Sequence, residues 1–576
     1  MQALILAAGF GKRLGKLTEK STKCMVEFNG RRIIEYMLDS LVSAKIERIA
    51  IVIGHGGAEV QEFLGNNYQG IPIEYIENEI YAQSNNIYSV YLAGEYLQQA
   101  DTILLESDLI FDENIILDCI NSPAENLAVV AKYEHWMDGT VTILDELGYI
   151  KNFIGRKDFQ WVNLEQYFKT VNIYKLSQRF SREIFIPLLF TYMNLQGKND
   201  YYEEVFRIAI SIKPQQIWGL SVEEKLWYEI DDTQDLDIAQ TLFSDPESKF
   251  LSLQNRSGGY WRFPKIKDFS SLINPYFPCV SIIEETRSIL PKIISQYPSG
   301  FETQASLVSR LFKCPVEYLI LNHDYSKIVQ MIMSKIPGMT GIFCSDHDAY
   351  FDWDNEKQKI VYSCLKDETL TYEIDEIVEF CRENKISNLL LVNPNKINGH
   401  FISKSDLLIL LERLRGLGVT LILDESLVCF VDGSEEHSIV DLDTLQANKN
   451  LIVLKSLDIA YGIPGLRLSV AVSGDLALVQ NIRDSDTFSN LNAIAEYYLQ
   501  VINKYTTDFH HACEQVVRER EFLVKELGAI SGLELMASSR SNCLLCRIRD
   551  RETLNLIIKE LLSNKILVKD YSNIPS

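Results

Sequence analysis

At 576 residues the chain is too long for one hydrophobic core, and two domains of roughly 250 to 300 residues each are expected. With 47% hydrophobic and 23% charged residues the composition is that of a globular protein. The formal net charge of −23 excludes a general nucleic-acid binder or a binder of acidic membranes, because either needs a basic face, so any anion site must be local.

The chain opens on an apolar run, Ala3-Leu4-Ile5-Leu6-Ala7-Ala8, that reads as a buried parallel strand and ends in Gly9-Phe10-Gly11-Lys12-Arg13-Leu14. Helical spacing follows from Ile33 to Val42, and a second buried strand runs from Ile49 to Gly54. The alternation continues with a helix over 58–64, a strand over 71–76, a helix over 85–97 and a strand over 102–105 that leads into Glu106-Ser107-Asp108. Alternating strands and helices predict a doubly wound parallel sheet, whose ligands bind beyond the carboxyl ends of the strands. Strands over 126–132, 140–144 and 169–174 extend the sheet, and Trp227-Tyr228-Glu229-Ile230-Asp231-Asp232 closes the unit before a helix opening at Thr233. We place the first domain at 1–245 and an aromatic-rich linker at 246–273, where Ser257-Gly258-Gly259-Tyr260-Trp261-Arg262-Phe263-Pro264 interrupts the periodicity. A second α/β series fills 274–576: helices over 281–297, 326–336, 375–384 and 405–417, and strands over 318–321, 341–345, 388–392, 420–423 and 451–455.

The eleven cysteines, among them Cys24, Cys119, Cys279, Cys314 and Cys344, are scattered, and Cys543 and Cys546 lie in an apolar strand pattern whose alternate faces cannot share one metal. They read as buried thiols of a reducing compartment. No apolar stretch is long enough to span a bilayer, and no basic region precedes the N-terminal run, so a cytoplasmic protein without membrane insertion is expected.

A Gly-x-Gly turn lets backbone N–H groups approach an anion, and Lys12, Arg13 and Lys23 bring positive charge to it, which suits a triphosphate. The string is neither a Walker A loop nor the dinucleotide fingerprint. Asp108 and Asp231 each read as a helix cap or turn residue, or as a magnesium ligand; beside this loop the second reading is favoured.

The opening string with Lys23 resembles the L-A-A-G-x-G-x-R-L…K signature of the sugar nucleotidyltransferase superfamily, with Thr22 where that family commonly has proline. The resemblance assigns Ala7, Ala8, Gly9, Gly11, Lys12, Arg13 and Lys23 to the nucleotide, and gives Arg13, Lys23, Asp108 and Asp231 the catalytic roles, with Mg²⁺ on the two aspartates. Tyr81-Ala82-Gln83-Ser84-Asn85-Asn86-Ile87-Tyr88-Ser89 resembles the N-N-I-Y-S stretch of choline-phosphate and 2-aminoethylphosphonate cytidylyltransferases, which adds Asn85 and Asn86 to the nucleotide site; an N-cap is the alternative for one of them. Lys132, the Trp136-Met137-Asp138-Gly139-Thr140 turn, Lys169 and Asn172 also match those enzymes. This implies a second-substrate site in which Asp138 meets an ammonium head group and the lysines a phosphate or phosphonate. The expected function is a magnesium-dependent transfer of a nucleotide, CTP above others, to a small head group of the phosphocholine, phosphoethanolamine or 2-aminoethylphosphonate type, with release of pyrophosphate.

The second domain resembles the pyridoxal-phosphate-dependent aminotransferases of class I and II, especially histidinol-phosphate aminotransferases and threonine-phosphate decarboxylases. The strings that carry this are Val392-Asn393-Pro394-Asn395-Lys396-Ile397-Asn398-Gly399, Leu423-Asp424-Glu425-Ser426 and Tyr461-Gly462-Ile463-Pro464-Gly465-Leu466-Arg467. The resemblance puts Asp424 at the pyridine nitrogen and Arg467 at the cofactor phosphate, but the Schiff-base lysine, eight residues before that arginine, is Ile459. Lys396, Leu427 and Asn322-His323-Asp324-Tyr325 depart from the family pattern as well, and the chain stops at Ser576, short of the family's last strand. An inactive domain is therefore expected, holding pyridoxal phosphate, if at all, without a covalent bond and serving a homodimer. Two alternatives stand beside this: a bifunctional cytidylyltransferase and aminotransferase or decarboxylase, and a sugar-1-phosphate nucleotidyltransferase with a non-catalytic dimerisation or sensor domain.

Overall fold

The computed structural model describes residues 1–572 apart from 20, 257, 264, 344–359, 364–370, 434–435 and 486–490. Ser257 and Pro264 of the expected linker, the end of the expected 341–345 strand with Cys344, and the chain end at Ser576 lie outside the described residues. The chain divides into two compact units, Met1–Ile266 and Lys267–Ser576. The stretch 246–273 therefore straddles the boundary, and its first part is a helix capped by Asp245.

In the first unit β1 (Gln2–Ala7) is buried along its whole length between β2 (Arg48–Ile53) and β4 (Thr102–Glu106), all three parallel, and β3 (Ile71–Glu77) continues the parallel set beyond β2. The helices α1 (Ile33–Ser43), α2 (Gly57–Leu64) and α3 (Asn86–Leu92) make the connections. Uninterrupted Val, Ile and Leu runs form these strands because both faces of a parallel sheet are covered. On the other side of β4 the sheet turns antiparallel through β9 (Phe168–Leu176), which also pairs with β6 (Leu127–Lys132) and β7 (Val141–Leu144); β8 (Ile150–Ile154) forms the edge and β10 (Trp218–Ser221) pairs with β6. The expected helix over 85–97 is two: the backbone leaves helical geometry at Ala93, beside Gly94, and resumes over Gly94–Leu97.

Two further elements decide where the acids go. The short strand β5 (Leu109–Phe111) pairs antiparallel with β11 (Trp227–Glu229), so Leu109 stands opposite Glu229, and Ile230 N–H bonds the Asp108 carbonyl (2.8 Å). Helix α4 (Glu203–Ile212) packs beside β8, and α5 (Thr233–Leu242) follows β11.

The second unit carries a seven-stranded sheet of order β12-β18-β17-β16-β15-β13-β14, where β12 is Leu319–Asn322, β13 Thr340–Phe343, β14 Ile360–Ser363, β15 Asn388–Val392, β16 Thr420–Asp424, β17 Leu451–Ser456 and β18 Ser469–Ser473. Only β18 runs against its neighbours; its antiparallel pairing with β12 and β17 closes an otherwise parallel run. Helix α6 (Tyr325–Lys335) covers one face, packing Ile328, Val329 and Ile332 onto Ile422, Ile452 and Ala471. Among the described residues no helix is long and apolar enough to cross a membrane.

Candidate functional site

The first loop is built as the glycine pattern requires. Gly11 sits at φ +60°, and a Cβ there would lie 2.7 Å from Lys23 Cγ, so only glycine lets the Lys23 stem pass. Thr18 Oγ donates to the Gly11 carbonyl (2.8 Å), and the Phe10 ring stacks on His55 (4.4 Å between centroids), which fixes the turn against α2's own loop. Lys12 and Arg13 stay at the surface, Lys12 over the face of Phe10.

Beyond β1 and β4 the structure brings four of the expected residues together. Lys23 Nζ lies 2.7 Å from Asp108 Oδ2 and 2.6 Å from Asp231 Oδ1, and Arg13 reaches the same Asp231 oxygen at 2.8 Å. Burial alone would lower the Lys23 ammonium, but Asp108 and Asp231 together raise it, so it is charged. Burial alone would raise Asp231, and Lys23 and Arg13 hold it below the ordinary carboxyl range. The two roles open to the acidic string at 231–235 fall to different residues. Asp232 caps α5, accepting from the N–H groups of Gln234 and Asp235, while Asp235 accepts from Asp231 and Asp232 N–H in return. Asp231 is thereby left for the site.

A third carboxylate joins them. Ligand oxygens of Asp108, Glu229 and Asp231 all lie within 4.8 Å of one another, and Asp108 Oδ1 is buried without a hydrogen-bond partner. Three clustered carboxylates with an unsatisfied buried oxygen fit a hard divalent cation. Glu229 is the member of the cluster that sequence reasoning passes over; its signal lies in Glu229-Ile230-Asp231, where side chains two apart share a face. Burial, with Asp108 and Asp231 nearby, raises the Glu229 carboxyl to about 7.

The expected second-substrate residues are dispersed. Lys169 is buried and bonds Glu229 (3.2 Å) and the Thr170 carbonyl (2.7 Å). Asn172, at φ +59° where the β9–β6 register shifts, donates its amide to Glu229 Oε1 (3.2 Å). Both therefore orient the third carboxylate. Lys132 is exposed over the Phe168 ring with its ammonium on the Glu165 carbonyl, and Asp138 is exposed, 3.7 Å from Arg13. Asn85 is the N-cap of α3, through its neighbour's N–H, whereas Asn86 donates its amide to Glu106 Oε1 (3.1 Å) and accepts from Tyr202 N–H.

In the second unit Asp424 is fully buried at the end of β16. Its Oδ2 receives both the Lys396 ammonium (2.6 Å) and the Tyr325 hydroxyl (2.6 Å), and Oδ1 receives the Ser426 N–H (2.8 Å). Burial would raise this carboxyl; Lys396 and the hydroxyl donors bring it below its ordinary value. Lys455 turns to Glu425 (3.0 Å) and Ser438 (2.9 Å). Ile459 lies in the short helix Leu457–Ala460 with its side chain against the main apolar core, and Arg467 is exposed at φ +56°. Asp324 caps α6, and the neighbouring Asp458 carboxyl is raised by burial to about 6.

Residues 3–147 match the MobA-like NTP transferase domain family, and residues 345–574 match the aminotransferase class I and II family. Over 93% of its length the chain is 26% identical to the CMP-5'-(3-aminopropyl)phosphonate synthase of Streptomyces rubellomurinus, spanning 84% of that protein. Over 41% of its length it is 28% identical to the CTP:phosphoglutamine cytidylyltransferase of Campylobacter jejuni, spanning 98% of it. Among solved structures a decarboxylase from Sulfurospirillum multivorans is alike in fold, with a TM-score of 0.51 at 20% identity, over 59% of this chain and 91% of that one.

Proposed function

We propose that this chain, which joins a MobA-like NTP transferase domain to an aminotransferase class I and II domain, is a cytidylyltransferase. It transfers CMP from CTP to a small phosphate or phosphonate that carries an amine. The observation that carries this reading is the convergence of Asp108, Glu229 and Asp231 with Lys23 and Arg13 at the mouth of the glycine turn. The two relatives named above act on CTP or form a CMP conjugate, which supports the choice of base and of acceptor.

In this reading the acceptor's phosphoryl oxygen attacks the α-phosphorus in line, a new P–O bond forms, and the bond to the β-phosphate breaks. Lys12, Arg13 and Lys23 and the backbone of the glycine turn hold the departing pyrophosphate. Asp108, Glu229 and Asp231 would hold Mg²⁺, which supplies neutralisation of charge on the phosphates. Lys169 and Asn172 keep Glu229 turned toward the other two carboxylates.

The second part of the reading is that the C-terminal domain performs no Schiff-base chemistry. Its residues do not fit pyridoxal phosphate. The Asp424 oxygen that would face the pyridine nitrogen is engaged by Lys396 and Tyr325, no lysine stands at 459, and two carboxylates, Asp324 and Asp458, share with Arg467 the place where the phosphate would need cations and free N–H groups.

The test is pyrophosphate release from CTP, UTP, dTTP and ATP, each offered 2-aminoethylphosphonate, phosphoethanolamine, phosphocholine and glucose 1-phosphate. CTP with an amino-phosphonate or amino-phosphate is expected to exceed CTP with glucose 1-phosphate, and every pairing with another nucleotide, by about a hundredfold in kcat/KM. Best turnover of a sugar phosphate, or of another nucleotide, contradicts the reading.

A further inference from the structure

Glu106, partly exposed, ends β4 two residues before Asp108, and with the buried Glu203 it forms an acidic pair that the steps above do not use. Glu106 Oε1 accepts from Asn86 Nδ2 (3.1 Å) and from the Tyr202 hydroxyl (3.1 Å). Glu203, the first residue of α4, is only 5% exposed; its Oε1 accepts from the Tyr174 hydroxyl (3.3 Å), while its buried Oε2 has no partner. The Tyr174 and Tyr202 rings meet edge to face, 5.7 Å apart, and close the group from one side.

The charges here do not close. Lys169 is a cation close enough to act on both acids, and it is engaged by Glu229. From side chains Glu106 and Glu203 receive an amide and two phenols. A neutral donor satisfies an acceptor but does not offset a buried negative charge.

We propose that Glu106 and Glu203, with Tyr202, form the receptor for the ammonium end of the second substrate, an inference that rests on the cytidylyltransferase reading. A primary ammonium brings the missing charge and three N–H donors, one of which suits Glu203 Oε2. Asp138, to which the sequence resemblance gives this role, is exposed and faces Arg13. The α-carbons of Glu106 and Asp108 can be no more than about 7 Å apart, which keeps the ammonium receptor beside the carboxylate cluster, so the chain between ammonium and phosphorus is short. The class is therefore a short-chain primary amine bearing a terminal phosphonate or phosphate. A quaternary ammonium, with no N–H, leaves Glu203 Oε2 without a donor.

The full-length protein, CTP and three phosphonates decide the matter: 2-aminoethylphosphonate, its N-trimethyl derivative, and propylphosphonate, in which a methyl group replaces the ammonium. The primary amine should exceed propylphosphonate by about a hundredfold in kcat/KM and the trimethyl form by about tenfold. Glu203→Gln should shrink the amine-to-propyl ratio about tenfold, chiefly through KM for the amine, and Glu106→Gln should do the same. Equal use of propylphosphonate by the wild-type protein, or an unchanged ratio in both variants, overturns the receptor while leaving cytidylyl transfer standing. Absence of turnover with every phosphonate and phosphate defeats the underlying reading and the receptor together. If Glu203→Gln does not fold, the wild-type comparison and Glu106→Gln still decide.

Discussion

Asp108→Ala is expected to lower pyrophosphate release from CTP by about a thousandfold or more, with the fold retained. The residue offers an unpartnered buried oxygen to the three-carboxylate cluster and holds the Lys23 ammonium in place, so its loss removes one of the proposed metal ligands and frees the cation proposed to bind phosphate at once. The contrast with Asp232→Ala makes the result specific. Asp232 belongs to the same acidic string, yet its carboxylate is the N-cap of α5, so its removal should cost about 1 kcal/mol of stability and leave most of the transfer rate. Steady-state rates at saturating Mg²⁺, with circular dichroism on both variants, check the pair. A rate for Asp108→Ala within tenfold of wild type would remove the aspartate from the chemistry.

The second large effect is on stability. Asp424→Ala should destabilise the C-terminal unit by about 3 kcal/mol, because the Lys396 ammonium and the Tyr325 hydroxyl lose the carboxylate oxygen on which both converge. Adding Lys396→Met should restore much of this, since the pair is coupled and an apolar side chain suits the site better than a half of an ion pair. The pH dependence has a definite sign. The Asp424 carboxyl is held below its ordinary value in the folded chain, so its contribution is present above the unfolded carboxyl's pKa, near 4, and fades as pH falls through the folded value. Asp424→Ala should therefore flatten the acid side of the denaturation profile of this unit. Urea titrations of the two variants between pH 3 and 7 measure both effects. A stability loss in Asp424→Ala that appears only when pyridoxal phosphate is added would mean that the aspartate serves a cofactor.

Much of the first sheet is legible in the sequence, for a simple reason. A parallel strand covered on both faces is written as an uninterrupted apolar run, and the runs at 3–8, 49–54 and 102–105 become β1, β2 and β4. The Gly-x-Gly turn is equally readable, because Gly11 needs a left-handed backbone and room for Lys23. Glu229 is not readable in the same way. Its place in the site depends on the β5–β11 pairing, which sets Leu109 opposite Glu229 across more than a hundred residues, and periodicity holds no record of a partner that distant. Lys169 and Asn172 stand in the right strand, but whether they face a ligand or a carboxylate depends on a register shift and on the left-handed conformation of Asn172. In the second unit the departure at Lys396 can be read from the string that holds it. That its ammonium would settle on Asp424 follows only from the folded loop after β15.

The central claim is that a new P–O–P linkage forms between CMP and an amino-phosphonate. The most direct measurement is the ³¹P spectrum of one mixture of the full-length protein, CTP, 2-aminoethylphosphonate and MgCl₂, followed to completion. Loss of the three CTP resonances is expected, with growth of one equivalent of pyrophosphate and a pair of mutually coupled signals from one phosphate and one phosphonate phosphorus. CTP left intact, or consumed without a coupled phosphate–phosphonate pair, would contradict it.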